Sequence, residues 1–217
     1  MVKSSGVMAS DKQCIGLFGG SFDPPHNGHV ALVHAALELG LDEVWVIPAQ
    51  PVHRELSGFA DGQVRLTWLQ KIFADHSRVK VLDWEVRQQQ PTPAVETLRR
   101  FNAEHPGLTP WLLLGADAWA GFKSWREYPA HRTLCNVAVF ARQGSGKIPV
   151  YDGWRQVKRP DVCVTPGSWC FVDVTLPEVS ATLVREYAGR GCGLTDLVPA
   201  AVCSEIENNY TVMKEKM

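Results

Sequence analysis

Short, mostly apolar runs recur along this chain, and stretches with helix-like spacing of apolar positions lie between them. The runs at 14–18, 44–47, 79–83, 111–114, 136–141 and 170–174 predict strands. The stretches at 30–39, 61–74, 94–103, 180–188 and 199–208 predict helices, with Asp61 and Ser180 as N-caps. Strands that are apolar on both faces and separated by helices need cover on both sides, which points to a parallel sheet. The expected fold is therefore α/β: a Rossmann-like, doubly wound parallel sheet with helices on both faces and a small C-terminal helical part. Residues 1–13 are expected to form a flexible leader and 14–217 a single domain, with 143–168 as its least regular, mobile stretch. There is no internal repeat and no low-complexity segment.

Composition narrows the choice of partners. The 217 residues carry a formal net charge of −1 with no basic stripe, which argues against capture of long nucleic acid. A small anion remains a suitable ligand, because a few local cations suffice. No run has the apolar length of a membrane span, and the first residues lack a signal core. The six cysteines, at 14, 135, 163, 170, 192 and 203, have no metal-ligand spacing; reduced thiols in the cytoplasm are expected. Oligomeric state is not legible.

The densest chemistry follows the first strand, in Gly19-Gly20-Ser21-Phe22-Asp23-Pro24-Pro25-His26-Asn27-Gly28-His29. A Gly-rich turn between a strand and a helix is suited to phosphate, since free N–H groups and the positive helix end face the ligand. Gly19 and Gly20 allow close backbone approach. Phe22 is expected to anchor the loop in the core, and Gly28 to leave room for a ribose or base. His26 and His29, three apart on one helix face, can donate to phosphate oxygens, and an imidazolium would stabilise developing negative charge. No Lys-Ser or Lys-Thr follows the glycines, so this is not a P-loop. Zinc on the two histidines would lack further ligands.

A second anion site is predicted at 179–185, where the Ser180 cap, the Thr182 hydroxyl and the Arg185 guanidinium share one helix start. Alone, each feature has an ordinary structural explanation.

Together they resemble the nucleotidyltransferase superfamily with its His-x-Gly-His signature, here His26-Asn27-Gly28-His29. The longer run is similar to that of bacterial nicotinate-mononucleotide adenylyltransferases, and 180–185 matches their Ser-x-Thr-x-x-Arg element. The resemblance covers most of the chain from about Cys14 onward. It implies an enzyme of NAD biosynthesis that joins Mg²⁺-ATP and nicotinate mononucleotide to give deamido-NAD and pyrophosphate. The implied catalytic residues are His26, His29 and Arg185. Gly19, Gly20, Ser21, Phe22, Gly28, Gly115, Asp117, Ser180 and Thr182 join them in holding ATP. Gln50, His53, Ala94, Trp125 and Arg142 are implied at the mononucleotide, with Trp125 stacked on its ring.

Two departures stand out. Val52 replaces the second proline of the usual Pro-Pro-His loop. Pro93-Ala94 replaces the usual Tyr-Thr in the turn that touches the pyridine carboxylate, removing one backbone donor. Other acceptors, nicotinamide mononucleotide or phosphopantetheine, therefore stay open, as does a nucleotide-binding regulator without turnover.

Overall fold

A computed structural model describes residues 13–50, 59–88, 90–142, 148–161 and 164–215. The expected leader, apart from Gln13, lies outside the described residues. Seven strands form one sheet in the order β3-β2-β1-β4-β5-β7-β6, and every pairing is parallel. They are β1 (Ile15–Gly20), β2 (Glu43–Pro48), β3 (Val79–Val81), β4 (Trp111–Gly115), β5 (Asn136–Arg142), β6 (Arg155–Gln156) and β7 (Ser168–Val174). The helices are α1 (Asn27–Glu38), α2 (Gly62–Ile72), α3 (Ala94–Glu104), α4 (Ala116–Ala120), α5 (Tyr128–Leu134), α6 (Ala181–Gly189) and α7 (Cys203–Glu215).

Alternation along the strands divides the core. Phe18, Val44, Val46, Trp111, Leu113 and Phe140 face one side, where Leu32, Val33 and Leu37 of α1 and Leu69 of α2 cover them. Ile15, Leu17, Trp45, Leu112, Leu114 and Val139 face the other, against Leu98 and Phe101 of α3, Trp119 and Phe122. A third cluster joins Trp68 of α2 to Val184, Val202, Ile206 and Tyr210 at the C-terminal end.

The strand order reverses between β1 and β4. The helix after β1 covers one face and the helix after β4 the other, so a crevice opens at the carboxyl ends of these two strands. The pairing of Gly16 with Trp111 and Leu17 with Leu112 brings Gly19 and Gly20 beside Leu114 and Gly115 at that crevice.

The six predicted strands and five predicted helices are present. Four pieces went unforeseen: β6, α4, α5 and the 3₁₀ turn Phe122–Ser124. The stretch 143–168 also differs from expectation. Where described, it buries Tyr151 and Trp154 against Trp119 and adds β6 to the sheet edge.

Trp111 is fully enclosed between β1 and β5. Trp111→Ala should lower unfolding free energy by about 3–5 kcal/mol, read by urea titration.

Candidate active site

The turn after β1 is built by strain and buried charge. Phe22 has a φ of 45°, in the left-handed region, and its ring is 1% exposed. That ring packs edge-on under His29, with centroids 4.9 Å apart. The anchoring role expected of Phe22 holds, and with its ring enclosed, only its backbone is available to a ligand.

His26 caps α1 and is 8% exposed. Its ring stacks on that of His29, with centroids 3.6 Å apart. The His26 backbone N–H donates to His29 Nδ1 at 3.2 Å. Nδ1 is then the acceptor, so neutral His29 carries its proton on Nε2. Burial, and then the neighbouring His26, holds His29 well below the usual histidine range. The imidazolium expected from the sequence is thus disfavoured in the free protein. His29 is a neutral donor with fixed orientation.

Gly28 does not leave an open space. A Cβ there would lie 3.1 Å from the His26 ring and 3.3 Å from Val179 Cγ1. Its role is close approach of α1 to the residues that precede α6. Gly19 and Gly115, by contrast, have nothing within 4 Å of the Cβ position.

The second predicted motif arrives at the same loop. Ser180 Oγ accepts from Leu183 N–H at 3.2 Å and caps α6. Arg185 Nη1 donates to the Asp23 carbonyl, and Nη2 donates to Thr182 Oγ1 at 3.2 Å. The two motifs, more than 150 residues apart in sequence, therefore share one end of the molecule, joined through Asp23 and through Val179 on Gly28.

Behind this surface lies a buried network that sequence reasoning missed. Asp23 Oδ1 accepts from Ala60 N–H at 2.9 Å and from Tyr210 Oη–H at 2.6 Å, and its Oδ2 stands 3.9 Å from Arg185 Nη1. Arg65, 2% exposed, donates from Nε to the Ala60 carbonyl at 3.1 Å and from Nη1 to the Ser21 and Ala49 carbonyls. Burial lowers the Arg65 pKa, and Asp23 opposes that shift. Tyr210 is raised by burial and by the Asp23 charge. The Asn27 N–H and Nδ2–H donate to the Leu197 and Asp196 carbonyls at 2.9 and 3.0 Å. Only the Asp in the motif itself and the polar Arg within an apolar helix face hinted at these roles.

The described residues predicted for the mononucleotide lie near the ends of β2 and β5, at the start of α3 and just before α5. Gln50 follows β2 and donates from Nε2 to the Val86 carbonyl at 3.5 Å. Ala94 opens α3 behind Pro93, which offers no side-chain cap. Half-buried Trp125 leans on Phe122 at 5.1 Å between centroids, in the core on the α3 side. Glu127, with a φ of 54°, and Arg99 of α3 join this segment to α3, Nη2 to Oε2 at 2.5 Å. Arg142 ends β5, two residues beyond the partner of Gly115. Exposed Asp117 lies in the first turn of α4. His53 lies outside the described residues. Among the described residues, no group of three acidic, His or Cys side chains could hold a metal, and no helix is long and apolar enough to cross a membrane.

A cytidylyltransferase-like family model matches residues 17–187. The chain belongs to this family. Its relatives include a protein of Chromobacterium violaceum, 33% identical, the match covering 88% of this chain and 95% of its own. Another, from Pseudomonas aeruginosa, is also 33% identical, with 90% and 95% covered. Both are named probable nicotinate-nucleotide adenylyltransferase. A solved Plasmodium falciparum nicotinic acid mononucleotide adenylyltransferase, complexed with NaAD, shares the fold at a TM-score of 0.69 and 17% identity, covering 93% of this chain and 97% of that one.

Arg65→Met would leave three carbonyls, that of Ala60 fully buried, without this donor. An unfolding free energy lower by about 3 kcal/mol is expected by denaturant titration. In NMR titration of the free protein, the His29 ring should stay in the neutral form as pH falls through the usual histidine range; protonation near pH 6.5 would contradict its role as a neutral donor.

Proposed function

We propose that this protein transfers the adenylyl group of ATP to nicotinate mononucleotide, giving deamido-NAD and pyrophosphate in NAD biosynthesis. The observation that carries the proposal is the meeting of His26, His29, Thr182 and Arg185 at the carboxyl end of β1. The family membership and the names of the relatives support the substrate pair.

The geometry suits in-line displacement. Magnesium enters with ATP as part of the substrate. The Nε2–H of His29 donates to a triphosphate oxygen, and His26 holds the triphosphate beside it. The Gly19–Gly20 backbone and the open side of Gly115 admit the nucleotide close to the sheet. A guanidinium has five N–H groups; Arg185 uses one on Asp23 and one on Thr182, which leaves three for the β- and γ-phosphates. Ser180 and Thr182 assist at the start of α6. A phosphate oxygen of the mononucleotide attacks the α-phosphorus. The bond from that phosphorus to the bridging oxygen breaks, and pyrophosphate leaves with the electron pair. No covalent enzyme intermediate is needed; the protein supplies position and charge stabilisation.

Acceptor choice follows from α3. Proline at the cap position contributes no N–H, yet the first-turn N–H groups of a helix have no partner within it, and Ala94 and Val95 carry two of them. An anionic carboxylate is favoured there over a neutral amide. Trp125 would stack on the pyridinium, and Gln50, His53 and Arg142 complete the acceptor side. The cytoplasm, where ATP is abundant, is the proposed location.

The test is incubation with Mg-ATP and each of nicotinate mononucleotide, nicotinamide mononucleotide and phosphopantetheine, with products identified by mass. The acid should react at least about tenfold faster than the amide; equal rates would remove the carboxylate reading. Absence of pyrophosphate with every acceptor would leave a nucleotide-binding regulator. His29→Ala should lower kcat by roughly 10²–10³ with an unchanged thermal melt.

A further inference from the structure

A cavity of about 580 Å³ opens beside α3, with Trp84, Glu85, Arg87, Thr92, Pro93 and Arg100 among its lining residues. Pro93, in the turn where the acceptor carboxylate is proposed to sit, lines it, whereas Gln50, Ala94 and Trp125 are not among its lining residues. Glu85 is 5% exposed, and its Oε1 accepts from Thr97 Oγ1 at 2.6 Å. Thr97 stands three residues after Ala94 on α3. The next residue after Glu85, Val86, gives its carbonyl to Gln50 Nε2, and Val86 Cγ1 is 3.2 Å from where a Cβ on Gly62 would sit. One short turn thus touches the start of α3, the end of β2 and the start of α2.

We propose that Glu85 is a positioning residue for the acceptor: through Thr97 and the Val86 carbonyl it sets Ala94 and Gln50 relative to each other, and its protonation weakens mononucleotide binding. The inference rests on the adenylyl-transfer reading. Burial pushes the Glu85 carboxyl up to about 7, and the Thr97 hydrogen bond opposes the shift. The surrounding charges have partners of their own. In its own turn, Arg87 pairs with Asp83. From α3, Glu96 pairs with Arg99, and Arg100 pairs with Glu104 while lying 4.4 Å from the Trp84 ring centroid. From the α2 side, Asp61 caps its helix and Arg65 serves the three carbonyls named above. Thr97 is therefore the group through which the Glu85 charge acts. Above pH 7 the ionised carboxylate holds the Thr97 hydroxyl as a charge-assisted acceptor; below it the bond weakens.

The experiment measures kcat and both KM values between pH 6 and 8.5 for the wild type, Glu85→Gln and Thr97→Val. The amide keeps the shape of Glu85 and does not titrate. Titration of the mononucleotide phosphate is common to all three proteins and cancels in their ratios. The wild-type KM for the mononucleotide should rise relative to Glu85→Gln, severalfold, as pH falls through 7. The KM for ATP and kcat should keep a constant ratio. Thr97→Val should raise the mononucleotide KM at pH 8 and flatten its pH dependence. Thermal melts without substrate supply a second readout. The folded carboxyl binds its proton more tightly than the unfolded one, so wild-type stability should decline relative to Glu85→Gln as pH rises from 5 to 8. A flat mononucleotide KM ratio, a parallel shift in the KM for ATP, or a flat melt difference overturns the inference. If another acceptor is turned over instead of nicotinate mononucleotide, only the function falls, and the same ratio measured with that acceptor decides the role of Glu85.

Discussion

The loop that carries the histidines is held from behind by two buried charges, Asp23 and Arg65. A loop that offers its N–H groups to a ligand cannot also use them on itself, so its carbonyls and its turn geometry need outside support. Arg65 meets three carbonyls from three different segments, those of Ser21, Ala49 and Ala60. Asp23 receives Ala60 N–H and the Tyr210 hydroxyl. Desolvating a guanidinium and a carboxylate is costly, and the cost is tolerable only because hydrogen bonds replace the lost water. The strained Phe22 and the stacked imidazoles inherit their positions from this support.

The two faces of the sheet then divide the work. Core residues on the α1 side back the histidines, and Arg185 reaches the same loop from α6 through the Asp23 carbonyl. Residues on the α3 side back Trp125 and the Pro93–Ala94 turn. The reversal of strand order between β1 and β4 sets the two sides at a common crevice. On the proposed function, donor and acceptor nucleotides would meet between elements packed on opposite faces of one sheet.

Much of this is legible in the sequence. The runs at 44–47, 111–114 and 137–141 are continuously apolar, and a run with no polar face allows few alternatives. The two anion motifs are local, so their chemistry can be read from adjacent residues. What escaped notice depends on partners distant in sequence. Arg65 resembles any polar residue on an amphipathic helix, and its burial is caused by carbonyls contributed from elsewhere. Tyr210 looks like the apolar edge of a terminal helix, yet its hydroxyl ends on Asp23. Tyr151 and Trp154 sit among charged and small residues with no period, so their stretch looked like a loose loop. The tight fit at Gly28 is not legible locally, because the group it accommodates, Val179, belongs to the second motif.

The hydrogen bond between Asp23 and Tyr210 spans 187 positions. During synthesis, the segment bearing the histidines leaves the ribosome long before its last support has been made. The sheet can begin to assemble from its early strands, but the phosphate cradle stays unfinished until α7 docks. Newly made chains should therefore pass through a stage that is folded in outline and not yet competent to bind nucleotide.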